Sequence, residues 1–435
     1  MTTAVEASLN QGQQKAAEGF IQFLFSSDKE LIISGGGGVG KTHLMGYLID
    51  SVMVTYFDTC KIMGIEPLYN EIIMTATTNK AAEVLGIATK RPTMTIHSFL
   101  NLKVMDNHDT GKSKLTQTRS WKIHENMIIF IDECSMIDSA LHRFIREGAH
   151  NCKIVYVGDH CQLPPVTETI SPIYRNNLPF YELTQSMRNA GQPALITVCA
   201  QLRDTVETGI FKPIQIIPGI IDHVGDDEMQ QLVFDHFQHQ TRSARILTYT
   251  NQKSILYNEF VRDIRQLPYE YGVGELLINN QPIQLRDRQG LSVETEVEIV
   301  NQNEQTELMT IEPGVQLEVR NSVIRTGLGQ VFTEVPMVVN RAHYLSLVKF
   351  YQRQKNWNRY FYLKNTFPDL RPRDASTGHK SQGSTYDIAF IDVGDLSTCR
   401  QPDIAARLLY VCFSRASSRI ILYGDLDSKY GGLLH

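Results

Sequence analysis

Four short runs in the first 170 residues are apolar at every position: Leu31-Ile32-Ile33, Ile72-Ile73-Met74, Ile128-Ile129-Phe130-Ile131 and Ile154-Val155-Tyr156-Val157. Strands that bury both faces and alternate with helical patterns predict a parallel sheet covered on each side, a doubly wound α/β domain. Between about Leu102 and Lys122 the pattern lapses into a polar stretch turning at Asp109-Thr110-Gly111, which reads as a hairpin inserted between core elements. A second set of strand-like runs, Ile246-Leu247-Thr248-Tyr249, Ile388-Ala389-Phe390-Ile391 and Arg419-Ile420-Ile421-Leu422-Tyr423, predicts a second parallel sheet. The stretch from about 268 to 372 differs: Val293 to Val300 and Gln316 to Val319 alternate apolar with polar, so a small antiparallel β subdomain is expected inside the second α/β domain.

Composition narrows the classes. With 435 residues, 42% of them hydrophobic, the chain is long enough for two or three domains with real cores. A formal net charge of −5 argues against a uniformly basic coat, so any nucleic-acid contact has to come from a local groove. Seven cysteines scattered without a C-x-x-C pair fit reduced thiols, and no structural metal is expected. The first twenty residues lack a basic segment followed by an apolar one, and no run approaches the roughly 18 apolar residues of a membrane span. The expected location is therefore the cytoplasm.

The chemistry is concentrated after the first strand. Gly35-Gly36-Gly37-Gly38-Val39-Gly40-Lys41-Thr42 completes the G-x-x-x-x-G-K-[ST] pattern between a buried run and a helix. Glycine lets the backbone N–H groups wrap phosphates, Lys41 reaches the β and γ phosphates, and the Thr42 hydroxyl binds magnesium. Asp132 and Glu133 follow the Ile128–Ile131 run, where Asp132 can hold magnesium and Glu133 can polarise the attacking water. ATP and Mg2+ are thus the expected ligands. Charge developing on the γ-phosphate also calls for arginines, for which Arg188 and Arg415 are the candidates.

The order and spacing of these motifs resemble superfamily 1B helicases of the Dda-like and RecD-like branch, from about Leu9 to Arg419. Leu9-Asn10-Gln11-Gly12-Gln13-Gln14 is similar to the adenine-sensing Q motif, with Gln13 as its glutamine. Ala76-Thr77-Thr78-Asn79-Lys80-Ala81-Ala82 resembles motif Ia, with Thr77 where the family has proline. Thr95-Ile96-His97-Ser98 looks like the next DNA-contacting motif, and Gly158 to Val166 matches motif III, whose γ-phosphate sensor falls on Gln162. The resemblance implies DNA contacts at Thr78, Asn79, His97, Ser98, Thr250, Asn251 and Asn258. Ser376 to Thr385 is similar to motif V, which implies DNA contacts at Thr377 and His379 and nucleotide contacts at Gln382 and Gly383. Arg188 and Arg415 fall on the arginines of motifs IV and VI.

The implied architecture is two RecA-like domains: 1–180 with a 1B pin at about 93–122, then 181–267 with 373–435, and an SH3-like 2B insertion at 268–372. The implied activity is an ATP-dependent DNA helicase moving 5′ to 3′ on single strands during phage replication or recombination. Single-stranded DNA and fork junctions are the expected partners, with a phage single-strand-binding or recombination protein as another. A translocase or protein remodeller that does not unwind, a motor on RNA, and an accessory module with a vestigial ATP site are the alternatives. The pin offers Val104, Met105 and His108 near its tip. Arg353 to Tyr362 interleaves aromatics with cations, which serves either base stacking or inward packing.

Overall fold

The computed structural model describes residues 9–165, 168–185, 192–285, 290–327 and 329–435. The chain forms two units, one comprising Met1–Lys103, Gln117–Val224 and Ser381–His435, the other Val104–Thr116 and Gly225–Lys380.

In the first unit the fully apolar runs become the inner strands of a six-stranded parallel sheet. Its order is Phe180–Leu183, Glu30–Gly35, Lys153–Gly158, Met127–Asp132, Glu71–Ala76 and Thr93–Thr95. The pairing places Ser34 beside Gly158 and Ala76 beside Asp132, so the strands end together at their carboxyl edge. In open α/β sheets that edge is where ligands bind. Phe20, Leu31, Ile33, Leu44, Phe130 and Val155 fill one face of the core. The strand Phe180–Leu183 carries the sheet past the expected boundary at 180, and Thr93–Thr95 pairs beside Met74–Ala76. The inserted hairpin itself is Leu102–Asn107 with Lys112–Gln117.

The same unit holds three further parallel strands, Ile221–Val224, Ala416–Tyr423 and Tyr386–Asp392, paired in that order. Helices Pro193–Thr208 and Pro402–Phe413 pack on each other beside them. Residues 193–224 and 381–435 thus group with the P-loop sheet.

In the second unit, Ala244–Thr248 pairs in parallel with Ala375–Thr377, and helix Asn251–Ile264 packs on both. The alternating segments form the antiparallel sheet: Glu307–Glu312, Val315–Thr326, Glu296–Gln302, Leu276–Asn279 and Leu370–Pro372 in order, with Val331–Val338 also on Val315–Thr326. Period-two alternation puts Leu277, Val297, Ile299, Ile324 and Phe332 into one core. Helices Arg341–Arg353 and Trp357–Thr366 cover a second cluster containing Leu317, Tyr344, Tyr351 and Leu363. Parallel sheets with helices plus an antiparallel part make up the expected class.

No helix among the described residues is long and apolar enough to cross a membrane. All seven cysteines are free thiols, six buried and Cys199 half-buried. Burial pushes the thiols of Cys199 and Cys412 up to about 12, and those of Cys134, Cys152 and Cys161 also rise for that reason.

Candidate active site

The P-loop leaves the end of strand Glu30–Gly35. A side chain at Gly35 would place its Cβ 2.7 Å from the Leu183 carbonyl oxygen, so the loop can start there only with glycine. Gly38 and Gly40 take φ of 79° and 82°, and Gly40 opens helix Lys41–Tyr47. The Lys41 ammonium donates to the Gly35 and Gly36 carbonyls at 2.8 and 3.0 Å, arching back over the loop it serves. Gln13 closes a capping box with Asn10, and its amide donates to the Val39 and Gly40 carbonyls at 3.3 and 3.4 Å. The Q-motif glutamine is therefore fastened to the P-loop backbone.

Two strands away, Met127–Asp132 delivers the carboxylate pair. Glu133 has φ 53° and ψ 42°, a left-handed conformation in which a non-glycine residue is strained. Thr77 helps to hold it: its N–H donates to the Asp132 carbonyl at 3.2 Å and its hydroxyl to the Glu133 carbonyl at 3.1 Å. A proline at this position would have no N–H to donate, so the departure from the family pattern adds a tie to the acidic pair. Burial, with the neighbouring Glu133 charge added, pushes the Asp132 carboxyl up to about 7 against the pull of Lys41. The half-buried Asp132 carboxylate, once ionised, and the Thr42 hydroxyl in the helix after the P-loop are hard oxygen donors of the kind magnesium takes.

The third strand end supplies residues 158–165. Gly158 is required because a Cβ would lie 2.7 Å from the Cys134 sulfur. Asp159 is fully buried and accepts from the Arg203 guanidinium and the Tyr410 hydroxyl, both at 2.7 Å. Burial alone would raise its carboxyl, but the Arg203 and Lys41 charges and these bonds hold it below the usual carboxylate range. A Cβ on Gly36 would lie 2.9 Å from the Tyr410 hydroxyl and 3.7 Å from Arg203, so both side chains stand at the P-loop. Gln162 is buried, with the Gln382 amide 3.4 Å from its side-chain oxygen, and Gln382 also donates to the Leu163 carbonyl at 3.1 Å. Arg407 donates to the carbonyls of His160 and, at 2.9 Å, Gln162. A Cβ on Gly383, at φ 72°, would lie 3.6 Å from a Glu133 carboxylate oxygen. Lys41, Asp132, Glu133, Gln162, Gln382 and Gly383 thus surround one region.

Arg415 is 3% exposed, with its guanidinium taken up by neighbouring protein groups. Its guanidinium donates to the carbonyls of Val411 and Ser384, each at 3.0 Å, and to the Ser414 hydroxyl at 2.8 Å. Arg188 lies outside the described residues. Sequence reading missed Arg203, Arg407 and Tyr410. Nothing local marks an arginine in an amphipathic helix, and only tertiary pairing with residues 159–162 distinguishes these.

On the P-loop unit, Thr78 and Asn79 are exposed at the start of helix Asn79–Thr89, which Thr78 caps through the Ala81 N–H at 3.2 Å. Ser98 is exposed and His97 half-buried, and burial lowers the His97 imidazole pKa. Within the second unit, Thr250 caps helix Asn251–Ile264 and Asn251 is exposed. Asn258 is buried and exchanges 2.9 Å bonds with both backbone groups of Ala375. That side chain fixes a strand. Thr377 is 5% exposed, and His379 is half-buried with its pKa lowered by burial. A cavity of about 310 Å³ counts Asn251, Ser376, Lys380 and Arg341 among its lining residues.

The hairpin tip is seated within this second unit. Trp357 lies against Gly111, where a Cβ would fall 2.4 Å from the indole. His108 meets Phe361 edge-on at 5.1 Å, and Asn365 donates to Asp106 at 2.9 Å. Trp357 and Phe361 therefore serve packing, the second of the two readings of that aromatic stretch, while Tyr362 is 40% exposed. Val104 and Met105 remain exposed on the hairpin.

A phosphate loop, an acidic pair and a glutamine at the ends of neighbouring parallel strands define a P-loop nucleotide-binding protein of the RecA-like kind. The AAA domain family matches residues 20–168, and the UvrD-like helicase C-terminal domain matches residues 374–423. The uncharacterized protein R530 of Acanthamoeba polyphaga mimivirus is 24% identical over 94% of this chain and 99% of its own length. The ATP-dependent DNA helicase dda of Enterobacteria phage T4 is 23% identical over 94% and 97%. In fold the chain is similar to the Pif1 helicase from Bacteroides in complex with ADP-AlF3 and ssDNA: TM-score 0.51 at 14% identity, covering 99% of this chain and 95% of that one. The chain is thus similar over nearly its whole length to the phage T4 helicase dda, and in fold to a Pif1 helicase.

Proposed function

We propose that the protein is an ATP-dependent DNA helicase that moves 5′ to 3′ along single-stranded DNA and opens the duplex ahead of it. The observation that carries this reading is the Gln162–Gln382 contact, which joins the P-loop site to the segment whose early residues we assign to DNA. The relative from phage T4, similar over nearly the whole chain, bears the name of a DNA helicase.

In this reading the backbone from Gly35 to Gly40 wraps the phosphates and Lys41 holds the β and γ groups. Thr42 and Asp132 would hold magnesium, which supplies positive charge to the phosphates when bound. Glu133 orients the attacking water and receives its proton, Gln162 reports the γ-phosphate, and Arg415, once released from its present partners, steadies the developing charge with Arg188. Thr78, Asn79, His97, Ser98, Thr250, Asn251 and His379 contact the DNA backbone, so affinity falls with salt and sequence preference is weak. Val104 and Met105 are the side chains offered to the fork. A single-strand-binding protein is the expected partner in a viral replication setting.

The test is unwinding of partial duplexes carrying either a 5′ or a 3′ single-stranded tail, with ATP and magnesium, beside a Lys41→Ala control. Opening of the 5′-tailed substrate alone, lost in the control, supports the motor, its polarity and its ATP site. DNA-stimulated ATP hydrolysis without opening of either substrate points instead to a translocase or remodeller, and stimulation by RNA alone to an RNA motor.

A further inference from the structure

Lys80 belongs to the segment that carries Thr78 and Asn79, but its ammonium points inward and donates to the Ser384 hydroxyl at 2.6 Å. Ser384 is 5% exposed and closes a turn through its N–H to the Ser381 carbonyl at 3.0 Å. That turn also carries Gln382 and Gly383. The Ser384 carbonyl accepts from Arg415 at 3.0 Å. The two other guanidinium partners, the Val411 carbonyl and the Ser414 hydroxyl, lie in the arginine's own helix end. Among the described residues, Ser384 is thus the group outside that helix end which binds the Arg415 guanidinium, and Lys80 is the charge that fixes Ser384.

We propose that Lys80 and Ser384 form a DNA-responsive catch that keeps the Arg415 guanidinium bound to protein groups until a strand is bound. This rests on the single-stranded DNA reading above. A backbone phosphate arriving at Thr78 and Asn79 meets the positive end of helix Asn79–Thr89. It offers the Lys80 ammonium an ionised acceptor in place of a neutral hydroxyl, and charge-assisted bonds are roughly twice as strong as neutral ones. Once Lys80 turns to the phosphate, the Ser381–Ser384 turn loses its anchor and its carbonyl can release Arg415. Thr77, three residues before Lys80, is bonded to the backbone of Asp132 and Glu133, so the segment touching DNA is joined to the acidic pair on one side and to the arginine's keeper on the other. Lys80 and Ser384 are positioning residues here, acting through Arg415.

The experiment is steady-state ATP hydrolysis by the full chain with and without an oligo(dT) strand, for the wild type, Ser384→Ala, Ser384→Thr and Lys80→Met. Ser384→Ala is expected to raise the DNA-free rate about fivefold or more while leaving oligo(dT) affinity unchanged, because Lys80 remains available to a phosphate. Ser384→Thr, which keeps the hydroxyl, should restore the low DNA-free rate. Lys80→Met should also raise the DNA-free rate, and in addition weaken oligo(dT) binding and reduce the salt slope by about one counterion. A DNA-free rate in Ser384→Ala equal to or below that of the wild type, at unchanged fold by circular dichroism, overturns the catch. Wild-type hydrolysis that oligo(dT) does not stimulate refutes the DNA-motor reading, whereas a raised Ser384→Ala rate in that same assay still identifies the hold on Arg415.

Discussion

The Tyr410 hydroxyl and the Arg203 guanidinium converge on the fully buried Asp159 carboxylate from two different helices, each at 2.7 Å. The bonds differ in what their loss leaves behind. Tyr410→Phe removes one neutral donor while Arg203 still compensates the charge, and should cost about 1–3 kcal/mol. Arg203→Ala strands a buried carboxylate and should cost about 3–5 kcal/mol. Urea denaturation of both single variants and the double variant checks the ranking. Equal losses would mean that Arg203 is not what neutralises Asp159.

The strained Glu133 backbone makes a second expectation specific. Thr77→Val keeps the N–H bond to Asp132 but deletes the hydroxyl bond to the Glu133 carbonyl. DNA-stimulated kcat for ATP should fall several-fold with KM little changed, since the group that orients water loses a support worth about 1 kcal/mol. Thr77→Ser, which keeps the hydroxyl, should recover the rate. A rise in KM at constant kcat would show that Thr77 acts on nucleotide binding instead.

Acid stability should depend on Glu30. Burial alone would raise its carboxyl, but hydrogen bonds from His142, Arg146 and Tyr156 outweigh that and hold it at about 2, against an ordinary 4.5. Because the folded value lies below the unfolded one, the stabilisation is fully present above about pH 4.5 and disappears as pH falls towards 2. It amounts to about 3 kcal/mol at neutral pH. The stability gap between wild type and Glu30→Gln should therefore be widest at pH 7 and narrow markedly by pH 3 in urea titrations. A gap that does not change with pH would count against the depressed carboxyl.

Gly111→Ala tests the hairpin's seat. The added Cβ would overlap the Trp357 ring, at a φ of +69° that alanine tolerates poorly. Unwinding of a 5′-tailed duplex should drop about tenfold or more while single-strand-stimulated ATP hydrolysis persists, because the P-loop residues lie elsewhere. Parallel loss of both activities would show that the contact supports the fold and not the fork.

What the sequence discloses here follows from how local each signal is. Strands buried on both faces announce themselves as Ile128–Ile131 and Ile154–Val157, and Gly35–Thr42 carries its own geometry in its glycines. Thr93–Thr95 escaped notice because a three-residue edge strand has neither length nor an apolar run. Asn258 matches a DNA-contacting position, and its bonds to both backbone groups of Ala375, 117 residues away, are visible only in the fold. Arg203 and Lys80 are ordinary helix residues until their partners arrive, from 44 positions away for Asp159 and 304 for Ser384. No window of sequence contains such pairs. The grouping of 381–435 with the P-loop sheet is likewise a matter of packing that strand patterns do not encode.

The buried cysteines have a practical consequence for observing this protein at work. Six are enclosed in the fold, and burial makes even the half-buried Cys199 reluctant to form a thiolate. Maleimide dyes attack thiolates at the surface, so the natural chain should remain almost dark under mild labelling. A cysteine introduced at an exposed position such as Asn79 or Val104 would then carry the fluorophore alone, and motion of the strand or the fork could be followed without first removing the native seven.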